Sequence, residues 1–166
     1  EERALHFDDV EQRPDVVYAQ RWYDARPYEP PATCQTTPLA GPASRGDSFF
    51  AHYWLDAGAL NADLFGWLIA NREQPLGVYG EDVDTSLRAT ARRLDGESGE
   101  RIEAPTEVFA ADSRVASFVF PSAGCWELEF KTPSVAVTFV IYVYPEECAA
   151  EIENGEIVSA CDSPRE

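Results

Sequence analysis

Lysine is nearly missing from this chain. Lys131 is the only one, and 13 basic residues stand against 30 acids for a formal charge of −17. A surface of that sign repels nucleic acid and anionic lipid, so neither is an expected partner. It favours cations or a basic protein, and in its plainest reading it serves solubility. No run approaches the ~18 apolar residues that direct membrane insertion as a helix would need. Cys-x-x-Cys does not occur, and neither His6 nor His52 is close in sequence to a cysteine, which excludes zinc-ribbon and redox-pair spacings. There is no Gly-x-Ser-x-Gly elbow, EF-hand loop, internal repeat or low-complexity tract, so neither a hydrolase nor a cofactor is expected.

What is present is alternation. From Cys125 to Lys131, Trp126, Leu128 and Phe130 interleave with Cys125, Glu127, Glu129 and Lys131, the period of a half-buried strand. After Thr132-Pro133-Ser134, the residues Val135, Val137, Phe139, Ile141 and Val143 repeat the pattern, predicting an antiparallel hairpin with an apolar inner row. Further strands are expected at 49–55, at 64–69, at 108–109 and at 115–120. Residues 75–80 read as an edge strand or turn. Val83, Thr85, Leu87, Ala89 and Ala91 predict one continuous strand, slipping at Arg93-Leu94 before Asp95-Gly96 turns. Short strands with turn signals every eight to twelve residues and no long helical period give an all-β fold. The expectation is an antiparallel, immunoglobulin-like β-sandwich with an N-terminal extension.

That extension, residues 1–33, is acidic and ends in Arg26-Pro27-Tyr28-Glu29-Pro30-Pro31, which forces extended backbone. Its aromatic island around Trp22 and Tyr23 fits either a short helix started by Pro14 or an extended strap lying on the main domain. Residues 34–145 are the expected sandwich domain and residues 146–166 a tail. In the tail, Asn154-Gly155 between apolar residues predicts a small hairpin.

Four cysteines, Cys34, Cys125, Cys148 and Cys161, allow three connectivities, and an even count without metal spacing suits two disulfides in an oxidising compartment. Cys34–Cys125 with Cys148–Cys161 is the favoured set. It ties the N-terminal approach to the central hairpin and closes the short tail loop. Glu1-Glu2-Arg3 is a polar start without signal-peptide character, so an exported chain whose targeting segment has already been removed is expected.

Phe120-Pro121-Ser122-Ala123-Gly124-Cys125-Trp126-Glu127, followed by a strand carrying Phe139-Val140, resembles a signature of small, uncharacterised bacterial secreted proteins and lipoproteins. Arg92-Arg93-Leu94-Asp95-Gly96 is similar to the strand and turn that precede it there, and Cys34-Gln35-Thr36-Thr37-Pro38 to an upstream Cys-x-x-Thr-x-Pro element. The resemblance covers about residues 34–144. It implies an extracytoplasmic β-sandwich, supports the Cys34–Cys125 pairing and implies no activity.

Candidate sites are few. His52 lacks a nucleophile and an orienting carboxylate in any recognisable pattern, and reads as a strand residue beside an aromatic cluster. Glu81, Asp82, Asp84 and Asp95 are the weak calcium candidates, since calcium needs several converging oxygens. Glu127 and Glu129 share a strand face, as paired carboxylates of a glycosidase would, but also as ordinary exposed charges do. Arg45-Gly46-Asp47 is an adhesion tripeptide of low information. Trp22, Tyr23, Tyr28, Tyr53, Trp54 and Trp67 are too many aromatics for one small core, which makes them the candidate binding residues. The expected function is a non-enzymatic extracytoplasmic binding or assembly module of a surface or membrane-associated complex. Its partner would be a protein, or a copy of itself, met through the N-terminal strap. The alternative is a carbohydrate-binding module with an aromatic platform, with or without calcium.

Overall fold

The computed structural model describes residues 26–43, 52–64, 67–96, 99–110, 112–153, 156–159 and 161. Thirteen strands lie among them. A six-stranded sheet has the order β1-β2-β3-β5-β9-β8. It is built from β1 (Ala40–Ala43), β2 (His52–Asp56), β3 (Leu60–Leu64), β5 (Glu73–Gly80), β8 (Thr106–Ala110) and β9 (Ser113–Val119). A five-stranded sheet has the order β4-β11-β10-β6-β7. It is built from β4 (Leu68–Ile69), β6 (Arg88–Arg93), β7 (Arg101–Ala104), β10 (Gly124–Lys131) and β11 (Ala136–Tyr144). The tail adds the hairpin β12 (Ala150–Glu153) and β13 (Glu156–Ser159), as Asn154-Gly155 predicts. This is the all-β sandwich expected from the alternation. Its six-plus-five arrangement is larger than the four-plus-three of an immunoglobulin constant domain, and β4 joins β11 in parallel.

The β10–β11 hairpin is central to its sheet. It pairs from Gly124↔Val143 to Lys131↔Ala136 without a break, and β10 pairs β6 on its other side. Trp126, Leu128 and Phe130 face Phe139, Ile141 and Val143 in one buried layer, completed from the opposite sheet by Leu55, Leu60, Leu76, Val78 and Phe118. Trp126 is fully buried. Its indole N–H donates to the carbonyl of Ser122 at 3.1 Å, which satisfies the ring's one polar group. Burying such a side chain stabilises by about 2–3 kcal/mol.

Three strand expectations are corrected. Residues 75–80 are not an edge or turn but most of β5, which lies between β3 and β9. Pro75 is tolerated because β3 pairs only with Val78, Tyr79 and Gly80, so no neighbour on that side asks Pro75 for an N–H. The strand expected to start at Val83 starts at Arg88. Ahead of it, Asp82 turns at a φ of 64°, and its carbonyl accepts from the N–H groups of Thr85 and Ser86. Val83 and Leu87 are still buried there, but Thr85 is exposed. The single strand expected over 64–69 is two strand ends in different sheets, Leu64 closing β3 and Leu68–Ile69 forming β4. The expected strand residues 49–51 lie outside the described residues.

The disulfides are Cys34–Cys125 and Cys148–Cys161, with Cα separations of 5.5 and 5.0 Å. Among the described residues, no helix is long and apolar enough to cross a membrane. By loop-closure entropy, a bridge spanning 91 residues stabilises by about 4–5 kcal/mol and one spanning 13 by about 3 kcal/mol. The pair of substitutions Cys34→Ser with Cys125→Ser is therefore expected to lower the calorimetric Tm by on the order of 10 °C, and Cys148→Ser with Cys161→Ser by less. The reverse ranking would contradict this assignment of the two bridges' roles.

Candidate functional site

The side chains of β11 serve two layers. Its odd positions enter the main core, and its even positions Tyr142 and Tyr144 turn to the other face. There Trp67, Ile69, Tyr144, Cys148 and Cys161 form a second buried cluster, with Tyr28 and Tyr142 packed against it. The N-terminal approach is laid onto this face. Tyr28 meets Tyr144 and Tyr142 edge-on, at ring-centroid distances of 4.9 and 6.2 Å. The Tyr144 hydroxyl donates to the Tyr28 carbonyl, and the Tyr28 and Tyr142 hydroxyls lie 3.3 Å apart. Further along, the Thr37 N–H donates to the Val140 carbonyl at 2.8 Å, and the Val140 N–H donates to Thr37 Oγ1 at 2.8 Å. Thr37 thus stands in for a missing neighbour strand at the edge of β11. Cys34, between the two contacts, is bonded to Cys125.

Between this segment and the sheet lies a recess lined by Pro30, Leu39, Leu64, Trp67, Leu68 and Tyr142, with about 30 Å³ of water-accessible volume. That is space for about one or two waters and far too little for a sugar ring.

The residues of the signature make a second constellation. Arg93 Nε donates to Asp95 Oδ1 at 2.8 Å, and Arg93 Nη1 donates to Ser122 Oγ at 3.0 Å. Ser122 in turn donates to Glu100 Oε1 at 2.7 Å, and the Cys125 N–H donates to Asp95 Oδ2 at 3.1 Å. The aspartate and glutamate beside Arg93 raise its pKa further. Gly124 lies beneath the ion pair with φ at 141°, and a Cβ there would stand 2.6 Å from Asp95 Oδ1 and 2.9 Å from Arg93 Nε. Gly-Cys-Trp therefore has a structural meaning residue by residue. Gly124 admits the ion pair, Cys125 holds the N-terminal approach, and Trp126 fills the core.

Among the described residues, the sequence-predicted site residues are not gathered into one site. Trp22, Tyr23, His6 and Arg45-Gly46-Asp47 lie outside the described residues, as do the side chains of His52 and Tyr53. Trp67 is buried, and its indole N–H donates to the Cys148 carbonyl at 3.0 Å, so it is core rather than an exposed ring. Trp54 is half-buried opposite Asp63 in the other sheet, so it shares no platform with Tyr28 or Trp67. Asp95 is taken up by Arg93 and Cys125 and lies at the far end of β6 from Glu81, Asp82 and Asp84. Asp82 accepts from Ser134 Oγ at 2.7 Å. Among the described residues no three metal-ligating side chains converge. Glu127 pairs with Arg92 at 3.0 Å across the β10–β6 register. Sequence reasoning missed Tyr142 and Tyr144, which the same alternation in β11 places off the inner row.

The fold and these constellations define a disulfide-bonded β-sandwich whose N-terminal approach is fastened to one face. No protein-family model matches the chain, and no curated protein matches it. Among solved structures it is similar to one described as a "Putative Lipoprotein from Bacillus anthracis", at 15% identity over 87% of this chain and 99% of that one, with a TM-score of 0.42.

Two outcomes are expected. Gly124→Ala, which combines a strained φ with a clash against the ion pair, lowers unfolding free energy by about 2–3 kcal/mol. Gly99→Ala, at a φ of 59° in open space, costs about 1 kcal/mol; equal losses in denaturant titrations would remove the steric argument. The Tyr28 hydroxyl is pushed above the ordinary tyrosine range, first by burial, then by its hydrogen bond to Tyr142 and by the charges of Tyr142, Tyr144 and Glu147. A raised folded-state pKa means stability that is complete below about pH 10, the unfolded value, and is lost as pH rises through the folded one. Unfolding free energy is therefore expected to fall above pH ~10, less steeply in Tyr28→Phe, with one late-ionising tyrosine gone from the absorbance titration.

Proposed function

We propose that this is a non-enzymatic, extracytoplasmic module that works by binding or assembly within a surface or membrane-associated complex; the resemblance of its Gly-Cys-Trp signature supports the extracytoplasmic part of that reading. Two closed disulfides support an oxidising compartment. The observation that carries the binding role is the fastening of residues 26–39 along β11. It uses the Cys34–Cys125 bond, the two hydrogen bonds that Thr37 makes to the Val140 backbone through its N–H and its hydroxyl, and the Tyr28–Tyr142–Tyr144 cluster. That fastening gives residues 1–25 a fixed point of departure from the sandwich. A tether with a fixed exit holds its attached partner at a defined place and keeps the effective concentration of the two high. The polar groups that the described residues bring together are spent on each other, Ser122 between Glu100 and Arg93 and Asp95 between Arg93 and Cys125, which favours a structural part over a catalytic one.

The test compares the full chain with one starting at Arg26, which leaves the docked Tyr28 in place. Light scattering after size exclusion is expected to give a smaller assembly for the shortened chain, or partner capture by the full chain alone. Identical masses and identical partners would sink the tether.

A further inference from the structure

The four sheet edges are not treated alike. At one end of the six-stranded sheet, β1 carries Pro42 and a register irregularity between Ala40 and Ala43, both of which discourage an added strand. In the five-stranded sheet, β4 is two residues long and Thr37 extends its cover over β11. At the other end, β7 is four residues long and carries the charges of Arg101 and Glu103. The remaining edge is β8, with the sequence Thr-Glu-Val-Phe-Ala. It contains no proline, and its two central residues are Val108 at 57% exposure and Phe109 at 73%. Among the described residues, β8 has β9 on one side and no strand on the other. Its protection is limited to the charge of Glu107 and the irregularity between Val108 and Ala110.

The charge around this edge is mostly negative. Glu107 lies on β8, Asp112 in the turn that follows, and Glu81, Asp82 and Asp84 in the loop that Arg114 reaches from β9. Against these five acids stands Arg114, opposite Val108, which keeps its charge while donating to the carbonyls of Val83 and Asp84 at 2.7 and 3.2 Å; Arg88 pairs with Glu103 at 3.3 Å. A second copy would bring its own −17 to this acidic edge and be repelled.

We propose that β8 accepts an extended, cationic segment of a partner protein as an added strand. Backbone hydrogen bonds to the outward side of β8 would hold it, the exposed Val108 and Phe109 side chains would grip its apolar residues, and the acids would select lysine or arginine between them. This surface is not the N-terminal tether, so a tether that captures nothing leaves the proposal standing.

The test uses the full chain and a blocked heptapeptide of alternating lysine and valine, against a lysine–glycine peptide of equal charge and poor strand propensity. Calorimetric titration is expected to give about tenfold tighter binding for the first. Hydrogen exchange should gain protection at alternate amides of β8. Val108→Thr with Phe109→Ser, both at exposed positions, is expected to leave Tm within about 2 °C and to weaken binding about tenfold. Equal binding of the two peptides, protection away from β8, or an unaffected double variant would overturn the proposal. So would peptide-free dimerisation that protects the same amides, which would assign the edge to a second copy.

Discussion

At the start of β10, three consecutive residues meet demands from three directions. Gly124 leaves room for the Arg93–Asp95 pair above it, Cys125 is covalently held to Cys34, and Trp126 fills the space between the sheets. The hairpin that follows spans the middle of the five-stranded sheet, so a displacement here would move β6 and β11 together. The main core, the turn after β6 and the N-terminal approach therefore share one anchor.

The covalent link has a second effect. By fixing Cys34, it brings Thr37 alongside Val140 and Tyr28 over Tyr144. That closes an edge of β11 which a two-residue β4 leaves largely open. A sandwich of this kind has four edges to protect, and three are shortened, charged, covered or interrupted by proline. Among the described residues, β8 is the edge that keeps both an accessible backbone and exposed apolar side chains.

The tail is bound into the body rather than appended to it. Cys148 and Cys161 are buried with Trp67, Ile69 and Tyr144, and the indole of Trp67 holds the Cys148 carbonyl. The second cluster thus joins the beginning of the described chain, its middle and its end on one face of β11. Tyrosine suits the position because each ring offers an apolar face to its neighbours and a hydroxyl to the polar backbone of the passing strap.

Much of the architecture was legible in the amino-acid order. Period-two alternation located β10, β11 and the end of β9, Asn154-Gly155 located the tail hairpin, and cysteine count with loop length favoured the pairing that forms. These are local signals, and they survive without knowledge of neighbours. The places where reading along the chain went astray all depend on what lies across the sheet. Pro75 sits in a strand between two others because β3 stops short of it, Thr85 lost its strand to the Asp82 turn, and Leu64 and Leu68 parted into different sheets. Trp67 looked like a surplus aromatic until Cys148 and Cys161 closed over it. Sequence by itself determined that this would be a disulfide-bonded β-sandwich, because alternation and cysteine spacing are properties of the chain. Only tertiary structure decided which aromatics are core and which edge stays open, because burial belongs to a pair of surfaces and not to one residue.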